Sequence, residues 1–177
     1  MILPIPPYPS PALRERSREV RDDEFGPELE KLAADMVDTM YHADGVGLAA
    51  PQIGRNIRVI VYDISPERNQ PHAMVNPRIL EADGVQASEE GCLSVPELRG
   101  KVRRPARVVV EGRSIGNEPV RLEARGLAAK MFQHEVDHLD GMLFCDRLSA
   151  AKRLTVRKHL KKLEDTAGKG GNDSQPK

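Results

Sequence analysis

The chain has 177 residues, of which 39% are hydrophobic and 31% are charged, as in one ordinary globular domain. Its 27 basic and 27 acidic residues give a formal net charge of zero, which offers no support for bulk nucleic-acid binding. Two cysteines are too few for a disulfide framework, and no stretch resembles a signal peptide or a transmembrane span. We therefore expect a monomer in a reducing cytoplasm, where a free thiolate is available as a ligand.

The first predicted element is an amphipathic helix that follows an extended arm of about two dozen residues. Pro27 suits the first turn of a helix, and apolar residues recur behind it at steps of three and four up to Met40. The pattern stops before Asp44 and Gly45, where we expect the glycine to end the helix. A buried strand is predicted over 57–64, because β-branched residues are dense there.

The middle of the chain is predicted to contain several short strands. Residues 74–80 read as a weak strand at a sheet edge, because Pro77 cannot donate a backbone hydrogen bond. Short extended pieces are expected over 85–96. Strands at 107–111 and 120–123 are expected to pair across a turn.

Two helices are predicted in the C-terminal third. The first spans about 127–139 and is apolar on more than one side, so we expect it to be buried. The second spans about 150–163, and the polar, glycine-rich tail 166–177 is expected to be disordered. Residues 1–165 would then form a single domain, and the order of its elements indicates an α+β fold.

The strongest chemical signal is the HExxH pattern of residues 134–138 on the first of these helices. His134 and His138 project from one helix face, so they can bind a single metal ion. Glu135 lies beside the first ligand, where it can take a proton from water without binding the metal. The alternative interpretation is a helix with two ordinary histidines and a charged face.

A catalytic site of this kind needs a third protein ligand. Residues 139–148 offer no histidine or glutamate that matches a zincin peptidase, and Cys145 is better interpreted as a small buried hydrophobic residue. Cys92 lies in the segment EGCLSVP (90–96), after a glycine that permits close backbone approach. One thiolate and two imidazoles would leave the fourth tetrahedral position for water.

A third segment, GVGLAAPQ (45–52), is rich in small residues. It lacks the spacing of a nucleotide-binding loop, whereas its small residues would let the backbone approach a peptide-like substrate. Gln52 offers a neutral amide donor at its end. The alternative interpretation is a simple helix-to-strand turn with an exposed Gln52.

Together, GVGLAAPQ, EGCLSVP and QHEVDH resemble in order and spacing the three signature motifs of the peptide deformylase family. The N-terminal YPSPALR and the basic C-terminal helix are similar to bacterial members of the Gram-negative and organellar type. The resemblance implies antiparallel β-sheets wrapped around a central helix that carries HExxH, with an N-terminal and a C-terminal helix. It also implies hydrolytic removal of the formyl group from the N-terminal formyl-methionine of nascent polypeptides, with release of formate.

The resemblance further implies a metal centre. Its ligands would be Cys92, His134 and His138, and Glu135 would be the general base and acid. We hypothesise that a metal-bound hydroxide attacks the formyl carbonyl. The resemblance implies Fe(II) in the cell, with nickel, cobalt or zinc possible in the purified protein.

The resemblance also implies contacts to the substrate. The Gln52 side chain and the Leu93 N–H would stabilise the oxyanion, and the backbones of Gly47 and Gly91 would contact the peptide. Lys130 is expected near the pocket, with its stem over apolar surface and its ammonium group in water. Residues that flank the motifs are candidates for a methionine pocket, namely Val46, Leu127 and Met131.

The predicted C-terminal helix carries a run of basic residues with no acid among them before Glu164. These are Lys152, Arg153, Arg157, Lys158, Lys161 and Lys162. The simple interpretation is a solvated helix face, whereas the resemblance to bacterial members implies docking on ribosomal RNA near the exit tunnel. Two other functions stay open, a zincin-like metallopeptidase and a non-catalytic binding module with a structural metal.

Overall fold

The structure is a computed structural model that describes residues 1–170. Its helices are α1 (Pro27–His42), α2 (Gly126–Leu139) and α3 (Ala150–Gly170). Its strands are β1 (Gly47–Ala49), β2 (Val59–Tyr62), β3 (His72–Asp83), β4 (Gln86–Cys92), β5 (Val95–Arg104), β6 (Arg107–Arg113) and β7 (Pro119–Arg125).

The strands form two antiparallel sheets, and α2 packs on the larger one. That sheet has the order β1-β2-β3-β6-β7, and β4 and β5 form a separate hairpin. The helix α2 contacts every strand of the five-stranded sheet. Its buried Phe132 and Leu139 share one apolar cluster with Ile60, Met74 and Val110 of that sheet. The predicted α+β fold with antiparallel sheets around a central helix is therefore confirmed.

The helix α1 begins at Pro27 as predicted but ends differently. The residue in the left-handed region is Asp44, with a φ of 56°, rather than Gly45. Aspartate tolerates this conformation because its short polar side chain can bond locally. The N–H of Gly45 then donates to the carbonyl of Met40 at 2.9 Å, which closes the helix and directs the chain into β1.

The prediction that Pro77 marks an edge strand is wrong. The strand β3 is an inner strand between β2 and β6. Its pairing with β6 shifts register between Val75 and Arg78, and Asn76 has a φ of 52°. Pro77 thus lies in a β-bulge, where the missing N–H removes no bond from the ladder.

The strand β5 was not predicted beyond residue 96, although its burial alternates along its C-terminal half. Gly100, Val102 and Arg104 are buried, and the residues between them are exposed. Because one of the inward positions is an arginine, the alternation of apolar and polar residues that signals a strand is masked. A tight turn at Leu93 and Ser94 joins β5 to β4.

The helix α3 continues to Gly170, beyond the predicted end at about residue 163 and into the segment that was expected to be disordered. Thr166 hydroxyl donates to the carbonyl of Lys162 at 2.8 Å in helical geometry, and a single glycine inside a helix costs only about 1 kcal/mol. The remainder of the predicted tail, 171–177, lies outside the described residues. Within residues 1–170 no helix is both long and apolar enough to cross a bilayer.

Candidate metal centre

The structure brings the three predicted ligands together. One donor atom from each of Cys92, His134 and His138 lies within 4.8 Å of the others. The sulfur of Cys92 is 3.3 Å from Nε2 of His138. The geometry follows from the fold, because the two histidines share one face of α2 and Cys92 ends β4 beside it.

A buried charge network holds one of the histidines. Nδ1 of His134 donates to Oε1 of Glu90 at 3.1 Å, which leaves its Nε2 for the cluster. Arg104 donates to both oxygens of Glu90, at 2.7 and 2.9 Å, and to Asp137 at 2.9 Å. The side chains of Arg104 and Glu90 are 2% and 1% exposed, so the ion pair is shielded from water.

Glu135 follows His134 on α2 and is buried against the N-terminal end of β1. The side chain of Glu135 approaches Gly47 so closely that a Cβ atom there would lie 2.7 Å from Oε1. Any larger residue would displace the carboxylate, which explains the glycine at this position.

Gln52 is 3% exposed, which argues against the alternative interpretation of an exposed side chain. Its Oε1 accepts a hydrogen bond from the N–H of Ala49 at 2.9 Å. This bond fixes the orientation of the amide. Nε2 is consequently directed at the three candidate metal ligands. It lies 3.2 Å from the hydroxyl of Ser94 and 3.6 Å from the sulfur of Cys92.

A cavity of about 660 Å³ opens beside these residues. Every site residue predicted from the sequence lines it except His138, which is 1% exposed. Two of the predicted pocket residues differ in exposure, since Leu127 is 58% exposed at the cavity and Met131 is 3% exposed. The ammonium group of Lys130 also lines the cavity and donates to the backbone oxygen of Glu89 at 3.1 Å.

Comparison with known proteins decides the family. A family model described as polypeptide deformylase matches residues 2–154. A peptide deformylase of Acinetobacter baumannii (strain SDF) is 44% identical over 92% of this chain and 92% of its own length. The chain belongs to the peptide deformylase family. It is therefore a hydrolase, as the sequence motifs indicated.

Solved structures of the peptide deformylase family share the fold. A peptide deformylase from Legionella pneumophila superposes with a TM-score of 0.84 and 40% identity, covering 95% of this chain and 98% of that chain. Arabidopsis thaliana peptide deformylase 1B in complex with an inhibitor gives a TM-score of 0.90 and 34% identity, covering 99% and 97%.

Three residues of this deformylase site were missed in the sequence. Asp137 is 6% exposed and forms ion pairs with Arg104 and Arg147. Glu90 could have been found, since it directly precedes the glycine and cysteine of the second motif. Arg104 stands among other arginines at 99–107, and nothing in the local sequence distinguishes it.

The protonation states of the cluster favour a bound cation. Burial alone would raise the pKa of the Cys92 thiol, but His138 and His134 hold it well below its usual range. Burial would lower the pKa of His134, but hydrogen bonds to Cys92 and Glu90 raise it to about 10. A buried thiolate therefore has a positive partner, and a divalent metal ion can take the place of the imidazolium proton.

A hydrated metal ion fits this donor set, because Oε2 of Glu135 is buried beside the three ligands with no hydrogen-bond partner among residues 1–170. A water molecule held by the ion would supply that partner. Cys145, the alternative third ligand, is buried in an apolar cluster against which Cys92 also packs. It is not one of the grouped donors, so it behaves as the small hydrophobic residue that was predicted.

A second cavity, of about 1020 Å³, lies on another face of α2. It is lined by Val136 and Asp137 of the helix and by Ser17 and Arg58, and none of the three candidate metal ligands lines it. Its volume is larger than that of the first cavity, but the candidate metal ligands and Glu135 lie at the smaller cavity.

Proposed function

We propose that this protein removes the formyl group from the N-terminal formyl-methionine of nascent polypeptides and releases formate. The observation that carries the proposal is the convergence of Cys92, His134 and His138, with Glu135 and Gln52, around one cavity. Membership of the peptide deformylase family supports the same reaction.

The proposed cofactor is one divalent first-row ion held by Cys92, His134 and His138, since thiolate and imidazole suit such ions. We propose Fe(II) in the cell, and nickel, cobalt or zinc on the same donors in purified protein. When bound, the ion would act as a Lewis acid that polarises the formyl oxygen and makes water more acidic. Three protein donors leave room for water and substrate, as a catalytic rather than a structural site requires.

Glu135 is the proposed general base and acid. It would take the proton from the attacking water and deliver it to the amine of methionine as the C–N bond breaks. Burial raises the pKa of its carboxyl group, which suits a residue that must hold the proton between the two steps. Its Oε2 has no bond to another described residue, so it is free to accept from water.

The proposed oxyanion hole consists of Nε2 of Gln52 and the backbone N–H of Leu93. The bond from Ala49 to Oε1 of Gln52 keeps the opposite end of the amide turned toward Cys92. Because this orientation exists before substrate binds, little reorganisation is needed during reaction, and such a donor typically contributes about 3 kcal/mol to the transition state.

The proposed backbone contacts to the substrate are made by strands that line the cavity. The strand β1 is at the end of the five-stranded sheet, so the backbone of Gly47 has an edge that can bind an extended peptide. Gly91, on β4, lines the same cavity. Three apolar residues of the cavity would receive the methionine side chain, namely Val46, Leu127 and Met131.

The test is a formate assay on anaerobically purified protein loaded with iron or nickel. Formyl-Met-Ala-Ser should yield formate and a free methionine amine, while Met-Ala-Ser should stay intact. Cleavage of unformylated peptide bonds would instead support a zincin-like peptidase. Absence of both activities in fully metal-loaded protein would instead support a non-catalytic binding module.

We also propose that the protein works as a cytoplasmic monomer and meets its substrates at the ribosome through α3. The buried Val156, with the half-buried Leu160 and Leu163, packs this helix on the domain. The basic residues face solvent, so they are available to RNA phosphates.

This proposal predicts the effect of reversing charge on the outer face of α3. Replacing Lys158, Lys161 and Lys162 by glutamate should weaken salt-dependent binding to ribosomes by about tenfold or more, with unchanged activity on short formyl peptides. Co-sedimentation at several salt concentrations measures the effect. Lys101→Glu, on an exposed site of β5, is the control. Equal ribosome binding by the two variants would contradict the docking role.

A further inference from the structure

One wall of the cavity is formed by residues 45–47, and it lies very close to Glu135. A Cβ atom on Gly47 would lie 2.7 Å from Oε1 of Glu135, and one on Gly45 would lie 3.4 Å from Cδ1 of Leu93. A small displacement of this wall would therefore change the width of the space that receives the substrate.

Arg68 holds this wall from outside the cavity. Its Nη2 donates to the carbonyl of Gly45 at 2.6 Å, and its Nη1 pairs with Asp44 at 2.5 Å. The guanidinium lies over the ring of Tyr41, 5.8 Å from the centroid. Arg68 does not line the cavity, so it can act on the substrate only through the wall.

The loop that carries Arg68 is itself fixed. Asp63, 1% exposed, accepts hydrogen bonds from the backbone and hydroxyl of Ser65, from the N–H of Gln70 and from the hydroxyl of Tyr41. The N–H of Asp63 donates to the carbonyl of Val46 at 3.0 Å. The same loop thus binds two successive carbonyls of the wall, one through Asp63 and one through the side chain of Arg68.

We infer that Arg68 is a positioning residue for substrate binding, which acts by holding the carbonyl of Gly45. This inference rests on the proposed deformylation. The bond to Gly45 matters more than the ion pair, because the Asp44 side chain is 90% exposed and a surface ion pair contributes little. The wall contacts bound peptide in both ground and transition states, so its displacement weakens both equally and changes KM rather than kcat.

The test compares Arg68→Ala, Arg68→Lys and Asp44→Asn in the metal-loaded enzyme. Arg68→Ala should raise KM for a formyl-methionyl peptide about tenfold, with kcat within about twofold. Arg68→Lys keeps one cationic donor for the carbonyl and should recover most of the loss. Asp44→Asn removes the charge, tolerates the left-handed backbone at this position and keeps the bond from Arg68 to Gly45, so it should stay within about twofold of wild type. The matched control is Arg78→Ala, an exposed arginine on β3 that pairs with Glu19 outside this cavity.

Hydrogen exchange at the amides of residues 45–49 gives a readout that does not need turnover. Exchange there should be faster in Arg68→Ala than in wild type and Arg78→Ala. Unchanged KM and exchange in Arg68→Ala, equal effects of Asp44→Asn and Arg68→Ala, or loss of the native fold in Arg68→Ala would each overturn the inference. Absence of activity in the wild type would contradict the proposed function instead. The hydrogen-exchange data would still show whether Arg68 holds the wall.

Discussion

Glu135→Gln is expected to reduce kcat for formate release by a factor of about 10² to 10⁴, while the protein keeps its fold and its metal. Glutamine has nearly the same shape, so packing around the buried side chain is preserved. It cannot take a proton from water, and the proton path proposed for Glu135 is lost. Single-turnover formate release, with metal content measured on the same sample, checks the prediction.

The control for this variant is Glu118→Gln, which makes the same chemical change in the exposed turn between β6 and β7. It should behave as wild type. Normal turnover in Glu135→Gln would remove Glu135 from the mechanism. Loss of the metal in that variant would indicate that Glu135 is a ligand, contrary to its proposed role.

Arg104→Ala should produce the largest loss of stability. Arg104 is 2% exposed at the side chain and pairs with Glu90 and Asp137, so its removal leaves two buried carboxylates with reduced compensation. Breaking a buried network of this kind costs about 3 kcal/mol or more of the free energy of unfolding. Urea denaturation of the metal-free proteins measures the cost without a contribution from metal binding.

The same variant should weaken metal binding. Glu90 orients His134 through Nδ1, and Arg104 fixes Glu90. Loss of an outer partner of a ligand typically lowers metal affinity by about 10- to 100-fold. The control is Arg107→Ala, whose exposed ion pairs with Glu81 and Glu123 should contribute within about 1 kcal/mol. Equal destabilisation by the two substitutions would contradict the importance of burial.

Much of the site could be predicted from the sequence because the patterns that indicate it are local. The spacing of His134 and His138 places both on one helix face wherever α2 lies, and Gly126–Leu139 was predicted almost to the residue. Cys92 is different, since nothing local separates a ligand from a buried cysteine. The need of the HExxH pair for a third ligand made Cys92 the better candidate, and its place in a motif that resembles the peptide deformylase family then supported that choice.

The parts that sequence reasoning missed depend on tertiary contacts. In the sequence Arg104 cannot be told from a surface arginine. Its burial depends on the pairing of β5 with β4, which brings its guanidinium into hydrogen bonds with Glu90. The inner position of Pro77 depends on a register shift that no local pattern encodes. Asp137 gave no signal in the sequence because its partners, Arg104 and Arg147, lie far from it in the sequence or beyond the helix end.

X-ray absorption at the metal edge of anaerobically prepared protein tests the centre most directly. We expect one sulfur at about 2.3 Å, with imidazole nitrogens and a light exchangeable atom completing about four positions. The sulfur should disappear in Cys92→Ala. A spectrum with nitrogen and oxygen neighbours alone in the wild type, or an unaltered spectrum in Cys92→Ala, would show that the ion is held elsewhere.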